Sequence, residues 1–176
     1  RRIQAGILSW GQDLDHEHNP FQCNLGYQVS LSGKGEWEKK GDYIGKQALE
    51  KMKADLKDGH KPYKLQLVGF EIGGKPIDEY APDFWLVSPG DGGDPCGFIT
   101  SPWYHPEKGK NIAMGYIPFD GTLNPNGFPK WELGKKFKVH LPDIYADEPG
   151  VPVDAVTVDV PFTESFNANT REVVKG

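Results

Sequence analysis

Gly97-Phe98-Ile99-Thr100-Ser101-Pro102-Trp103-Tyr104-His105-Pro106-Glu107-Lys108-Gly109-Lys110-Asn111-Ile112-Ala113-Met114-Gly115-Tyr116-Ile117 decides how the rest of the chain is read. Phe98 and Ile99 with β-branched Thr100 fit a pleated surface. Pro102 and Pro106 remove ladder donors and bracket a loop. Asn111 to Ile117 resumes an apolar strand. The expected unit is a β-hairpin whose tip carries Trp103, Tyr104 and His105.

Working outward, short strands follow the same logic. Val68, Phe70 and Ile72 alternate on one face. Phe84 to Val87, Phe137 to Leu141 and Val153 to Val160 are further strands. Turn clusters separate them, notably Pro89-Gly90-Asp91-Gly92-Gly93-Asp94-Pro95 and Asn124-Pro125-Asn126-Gly127. Many short strands with Gly/Pro turns predict a small barrel or sandwich.

The chain ahead of Pro62 has a different character. Arg1 to Leu8 reads as a last helical turn, with Gly6 near its C-terminal cap. Ser9 to Pro20 is a polar loop containing His16-Glu17-His18, and no third ligand is placed to make those imidazoles a metal site. Tyr27, Val29 and Leu31 alternate as in a strand, and Gly33-Lys34-Gly35 breaks it as a turn. Asp42 to Leu56 predicts a helix capped by Asp42, with Ile44, Ala48, Leu49, Met52 and Leu56 on one stripe and Gly59 as its stop. The fold class is therefore an α+β remnant followed by an all-β domain. The expected division is 1–62, 63–162 and a polar tail over 163–176.

The 176 residues suffice for one ordinary domain or a small domain with an appendage. A formal net charge of −5 leaves no basic excess to release counterions, so nucleic acid is not an expected partner. No apolar run approaches the ~20 residues that span a bilayer, and the opening has no signal-peptide pattern. Cys23 and Cys96 have no metal-ligand spacing and are expected as free thiols of a cytoplasmic protein. No carboxylate pair or Ser/His/Asp set has a spacing that demands catalysis. Trp10, Trp103 and Tyr104, read as loop residues, are candidates for a stacking wall against a flat ligand.

The order of motifs adds a resemblance. Arg2-Ile3-Gln4-Ala5-Gly6, Trp10-Gly11-Gln12-Asp13-Leu14, Asn19-Pro20-Phe21 with Leu25-Gly26-Tyr27, Asp42-Tyr43-Ile44-Gly45-Lys46-Gln47-Ala48-Leu49, Lys64-Leu65-Gln66-Leu67-Val68-Gly69 and the opening stretch resemble the glycine-cleavage T-protein family. These are folate-dependent aminomethyltransferases and relatives that demethylate other substrates. The resemblance implies a three-domain body with tetrahydrofolate in a central cavity. Residues 1–62 would finish the folate-binding body, and residues 63–162 would be the family's Greek-key-like C-terminal β-barrel. It implies that Gln4 and Trp10 meet the pterin or substrate, and that Trp103, Tyr104 and His105 wall the cavity mouth. The family's catalytic aspartate lies in an N-terminal half that this chain lacks, so no catalytic residue is expected here and the N-terminal half is the expected partner. A fragment of a larger enzyme is expected, inactive alone.

Departures from the family pattern matter too. Gln4 stands where the family usually has a glutamate, and an amide both donates and accepts where a carboxylate only accepts. Trp10-Gly11 replaces Tyr-Gly, Pro102 and His105 alter the hairpin motif, and insertions around Trp37 and from Asn124 to Trp131 exceed the compact pattern. They favour an O- or S-demethylase relative, in which the small-molecule one-carbon donor is a methyl compound. A non-catalytic folate- or protein-binding member is the alternative, and one part of a longer flavin-bearing oxidase is a third.

Overall fold

A computed structural model describes residues 1–31 and 43–162. The expected Asp42 cap, the Gly33-Lys34-Gly35 turn, Trp37 and the polar tail lie outside these residues.

Six antiparallel strands close into a barrel among the described residues. They are β1 (Leu65–Ile72), β2 (Trp85–Pro89), β3 (Gly97–His105), β4 (Lys110–Pro118), β5 (Lys136–Val139) and β6 (Val153–Val158). Their order around the barrel is β1-β4-β3-β2-β5-β6, and β6 pairs back onto β1. β2, β3 and β4 are sequential neighbours, while β1 reaches β2 by a long connection and lies beside β4. That is Greek-key connectivity.

Strand alternation sorts the side chains into two layers. Val68, Phe70, Val87, Ile99, Ala113, Phe137, Val139 and Val153 fill the barrel. Leu67, Ile112, Met114 and Tyr116 form an outward apolar layer, against which Ile3, Leu8 and Phe162 pack. The outside of β1 and β4 is thus covered by the start of the chain. A third cluster joins Phe21, Leu56 and Phe119, with Val29, Leu31, Leu49 and Met52 against it.

The one α-helix among the described residues, α1, is shorter than expected, Lys46–Lys57. Gly45 takes the N-cap position at φ +90°, so Ile44 precedes the helix and is fully exposed. Leu49, Met52 and Leu56 keep the inward stripe. The helix stops at Gly59, φ +82°, as expected. Tyr27, Val29 and Leu31 do not form a strand. A 3₁₀ turn occupies Gly26–Gln28, and Val29 and Leu31 satisfy their apolar character by packing against the cluster of Phe21, Leu56 and Phe119.

The opening stretch also differs from its reading. Trp103, Tyr104 and His105 belong to β3 rather than a loop tip, and the turn is 106–109, closed by Gly109 N–H to the His105 carbonyl at 2.9 Å. Pro102 sits inside the strand because pairing to β2 ends at Ile99. Beyond that point the side facing away from β4 needs no ladder donor. Tyr104, two residues on, turns its amide the same way and donates to Ile77 O at 2.8 Å. A register shift between Ile99 and Ser101 adds Thr100 as the extra residue of a bulge.

Gly115 lies opposite Ile99 beside that bulge. A Cβ there would stand 2.5 Å from Phe98 O and 3.0 Å from Ile99 Cα, both backbone atoms. Gly115→Ala is expected to destabilise the barrel by about 2 kcal/mol and to lower Tm by roughly 4–8 °C. Scanning calorimetry measures it, and an unchanged Tm would mean that β3 and β4 separate there without cost.

Candidate functional site

Asp13 is 1% exposed, and its carboxylate is the hub of the polar groups between the chain start and the barrel. Its Oδ2 accepts from Arg2 Nη1 at 2.7 Å and from the Ser9 amide at 2.8 Å. Its Oδ1 accepts from Thr100 Oγ1 and Ser101 Oγ, both at 2.6 Å. Arg2 Nη2 donates to Ser101 Oγ at 2.9 Å, closing the ring of contacts. Tyr116 Oη donates to the Asp13 carbonyl at 2.7 Å. A buried carboxylate needs such partners, since without them its ionised form would be strongly disfavoured. The bulge supplies two of them: the added residue sets Thr100 and Ser101 to deliver adjacent hydroxyls to one oxygen.

Local backbone explains why Arg2 and Asp13 meet. Residues 2–7 form one helical turn ended by Gly6 at φ +65°. Gly6 N–H bonds Ile3 O at 2.9 Å and Ile7 N–H bonds Arg2 O at 3.1 Å, a Schellman ending. The expected helical turn and its Gly6 cap are thus found. A second turn follows, with Asp13 N–H on Ser9 O and Gly11 N–H on Leu14 O, both at 2.8 Å. Gln12 braces it: its amide donates to Thr100 O, and to Ala81 O at 3.3 Å, while Tyr80 Oη donates to its Oε1 at 2.9 Å.

Both expected cofactor-binding residues sit on these turns. Gln4 is half-buried on the first; its carbonyl accepts from Phe162 N–H at 2.9 Å, and its side-chain amide makes no hydrogen bond among the described residues. Trp10 is at the head of the second and 69% exposed. The expected wall residues are divided by the β3 pleat. Trp103 and His105 fall on one face and Tyr104 on the other. Trp103 is 37% exposed, whereas His105 is 2% exposed, its Nε2 unpartnered among the described residues and Lys108 N–H 3.4 Å from its Nδ1. No described hydrogen bond or ring contact joins Gln4 or Trp10 to these three. Their link is indirect: Ser101, bonded to Arg2 and Asp13, precedes Trp103 by two positions.

His18 bonds Asp15 Oδ1 at 2.8 Å and packs on the Tyr116 ring, and His16 is exposed. Among the described residues no group of three His, Cys, Asp or Glu is set to hold a metal. Both cysteines are free thiols. Burial pushes the Cys23 thiol up, which disfavours a thiolate nucleophile. Burial likewise raises the Tyr116 phenol, followed by its bond to Cys23. A half-open groove of about 180 Å³ lies between Phe21, Tyr27, Phe128 and Trp131, separate from these turns in its lining residues.

In the sequence, Asp13, Thr100 and Ser101 stand within motifs that give none of them a functional role. Their partnership has no local signal, because 87 residues separate Asp13 from Thr100. The residue types were the only hint: an Asp in an otherwise turn-like run, and two adjacent hydroxyls before a proline.

No protein-family profile matches the chain. An aminomethyltransferase of Synechocystis sp. is 32% identical over 117 residues, covering 66% of this chain and 27% of that protein. An aminomethyltransferase of Thermosynechococcus vestitus is 29% identical over 162 residues, covering 92% of this chain and 35% of that one. The chain therefore spans about a third or less of the length of these curated relatives. The crystal structure of glycine cleavage system aminomethyltransferase T from Bartonella henselae matches 93% of this chain and 37% of its own, with TM-score 0.62 and 20% identity. That likeness establishes a shared fold. No helix among the described residues is long and apolar enough to cross a membrane.

Asp13→Ala removes an acceptor that four donors share. The expected loss is about 2–4 kcal/mol, since the Thr100 and Ser101 hydroxyls stay buried without it. Urea unfolding measures this. A loss under about 1 kcal/mol, the ordinary worth of one hydrogen bond, would show that the hydroxyls find other acceptors.

Proposed function

The chain belongs to the glycine-cleavage T-protein family as a C-terminal portion, and from that premise we propose that the whole protein is a tetrahydrofolate-dependent one-carbon transferase. It moves a one-carbon unit from a small-molecule donor to N5 of tetrahydrofolate, either a methyl group or the carbon of an aminomethyl group whose nitrogen leaves as ammonia. The similarity to an aminomethyltransferase over 162 residues, 92% of the chain at 29% identity, is the observation that carries this reading.

The residues present fit the cofactor. A pterin is flat and bears both donors and acceptors. Trp10 offers an exposed ring face, and Gln4 offers an amide that makes no hydrogen bond among the described residues and both donates and accepts. Tetrahydrofolate supplies, when bound, the amine that receives the one-carbon unit. The part of this chain is to bind and orient it, and to keep the reacting atoms in register, where positioning alone lowers a barrier. Trp103, Tyr104 and His105 are proposed as wall residues of the cavity mouth, with exposed Trp103 and buried His105 on one face of β3 and Tyr104 on the other. Proton transfer is assigned to the N-terminal half, which makes that half the chain's partner and leaves the chain inactive alone. The protein is proposed to be cytoplasmic and to engage neither nucleic acid nor membrane.

Gln4 in place of the family glutamate favours a demethylase over glycine cleavage. A neutral amide binds the pterin donors less strongly than a carboxylate, because charge-assisted bonds are the stronger ones. The same residue favours, as a second reading, a member that binds folate or a partner protein without turnover.

Full-length protein is to be titrated with tetrahydrofolate by calorimetry and then screened for product with candidate donors. Binding in the micromolar range is expected, with Gln4→Ala and Trp10→Ala each weakening it about tenfold, the size of one lost polar or stacking contact. Methyl-tetrahydrofolate as product identifies a demethylase, and methylene-tetrahydrofolate an aminomethyltransferase. Binding without either product supports the non-catalytic member, and no binding sinks the folate reading.

A further inference from the structure

We propose that Asp13 is a positioning residue for the cofactor site, acting through the two turns that carry Gln4 and Trp10. The proposal rests on the folate reading for its ligand, and on geometry for its mechanism.

One oxygen, Oδ2, holds the two turns to each other. It accepts from Arg2, which opens the turn bearing Gln4, and from the Ser9 amide, which opens the turn bearing Trp10. Arg2 Nη1 also donates to Ile7 O at 2.9 Å, so the same guanidinium spans the first turn from end to end. The other oxygen, Oδ1, fixes both turns to β3 through Thr100 and Ser101. Trp10 has little else to aim it. Its ring is mostly exposed, so its direction follows from the backbone of the Ser9–Leu14 turn. Gln4 is tied to Phe162 through its carbonyl, which leaves its side-chain amide dependent on the pitch of the Arg2–Ile7 turn. A carboxylate with two distinct oxygens can index three elements at once. An asparagine cannot, because one end of its amide would face donors with a donor.

The competing reading is a stitch that adds stability only. Two full-length variants separate them: Asp13→Asn, and Val139→Ala in the buried barrel core on β5, which shares no described hydrogen bond with the turns. Asp13→Asn is expected to raise the Kd for tetrahydrofolate about tenfold, because small misplacement of binding groups is costly. Val139→Ala is expected to lower Tm comparably while leaving Kd within about twofold, as distant sites act independently. The second readout needs no ligand. With 5-fluorotryptophan incorporated, the Trp10 fluorine line, assigned by its loss in Trp10→Phe, should narrow in Asp13→Asn and not in Val139→Ala. Should Asp13→Asn fail to fold, Ser101→Ala removes one donor and one Arg2 acceptor and should move both readouts in the same direction by less. Equal effects of Asp13→Asn and Val139→Ala on Kd and line width would overturn the proposal. Absence of tetrahydrofolate binding by the unmodified protein would overturn the folate reading instead, with the fluorine line still deciding whether Asp13 fixes Trp10.

Discussion

A carboxylate withdrawn from water must be met by donors on every side, and Asp13 meets four of them from three separated parts of the chain. This requirement determines much else. It needs Arg2 at the start of a helical turn that ends at Gly6, so that the guanidinium returns toward Ile7 and Asp13. It needs a tight turn between Ser9 and Leu14, so that the Ser9 amide faces the side chain four positions on. It needs two successive hydroxyls on β3 directed to one point, which regular alternation would send to opposite faces. The bulge reconciles that demand with the ladder.

The barrel serves as the rigid floor for this arrangement. Its interior is apolar and filled, while its outer layer of Leu67, Ile112, Met114 and Tyr116 receives Ile3 and Leu8. Apolar packing brings the start of the chain to the barrel without fixing its rotation or register, because it is non-directional. The Asp13 contacts supply direction. Tyr116 belongs to both systems, with its ring in the apolar layer and its hydroxyl on the Asp13 carbonyl. The side chains proposed to meet a ligand are therefore held by polar geometry laid over a hydrophobic base.

Much of this was legible in the sequence, where the signal was local. Alternation in Val68-Gly69-Phe70-Glu71-Ile72 and the valines of 153–160 located β1 and β6, and Gly/Pro clusters located the turns. Three features misled. Pro102 hid the second half of β3, since a proline argues against a strand unless the neighbour on that side is known to be missing. Tyr27, Val29 and Leu31 alternate, yet a cluster built from Phe21, Leu56 and Phe119 absorbs the last two without any strand partner. Gly45 in the left-handed region takes the N-cap position, where the sequence pattern points to Asp42, which lies outside the described residues. The polar hub was beyond local reading altogether. Carboxylate and hydroxyls have no periodicity that announces a partner, and the motif order showed only that Asp13 sits in a familiar run.

The separation of 87 residues between Asp13 and Thr100 has an entropic meaning. Joining two points so far apart restricts the chain by an amount that grows only as the logarithm of the loop. That restriction is met once, when the clamp closes. From then on Ile3, Leu8 and Gln12 meet the barrel as tethered groups at high effective concentration, and each adds its contact without repeating the closure. The side chains carried on the two turns inherit the same proximity to β3.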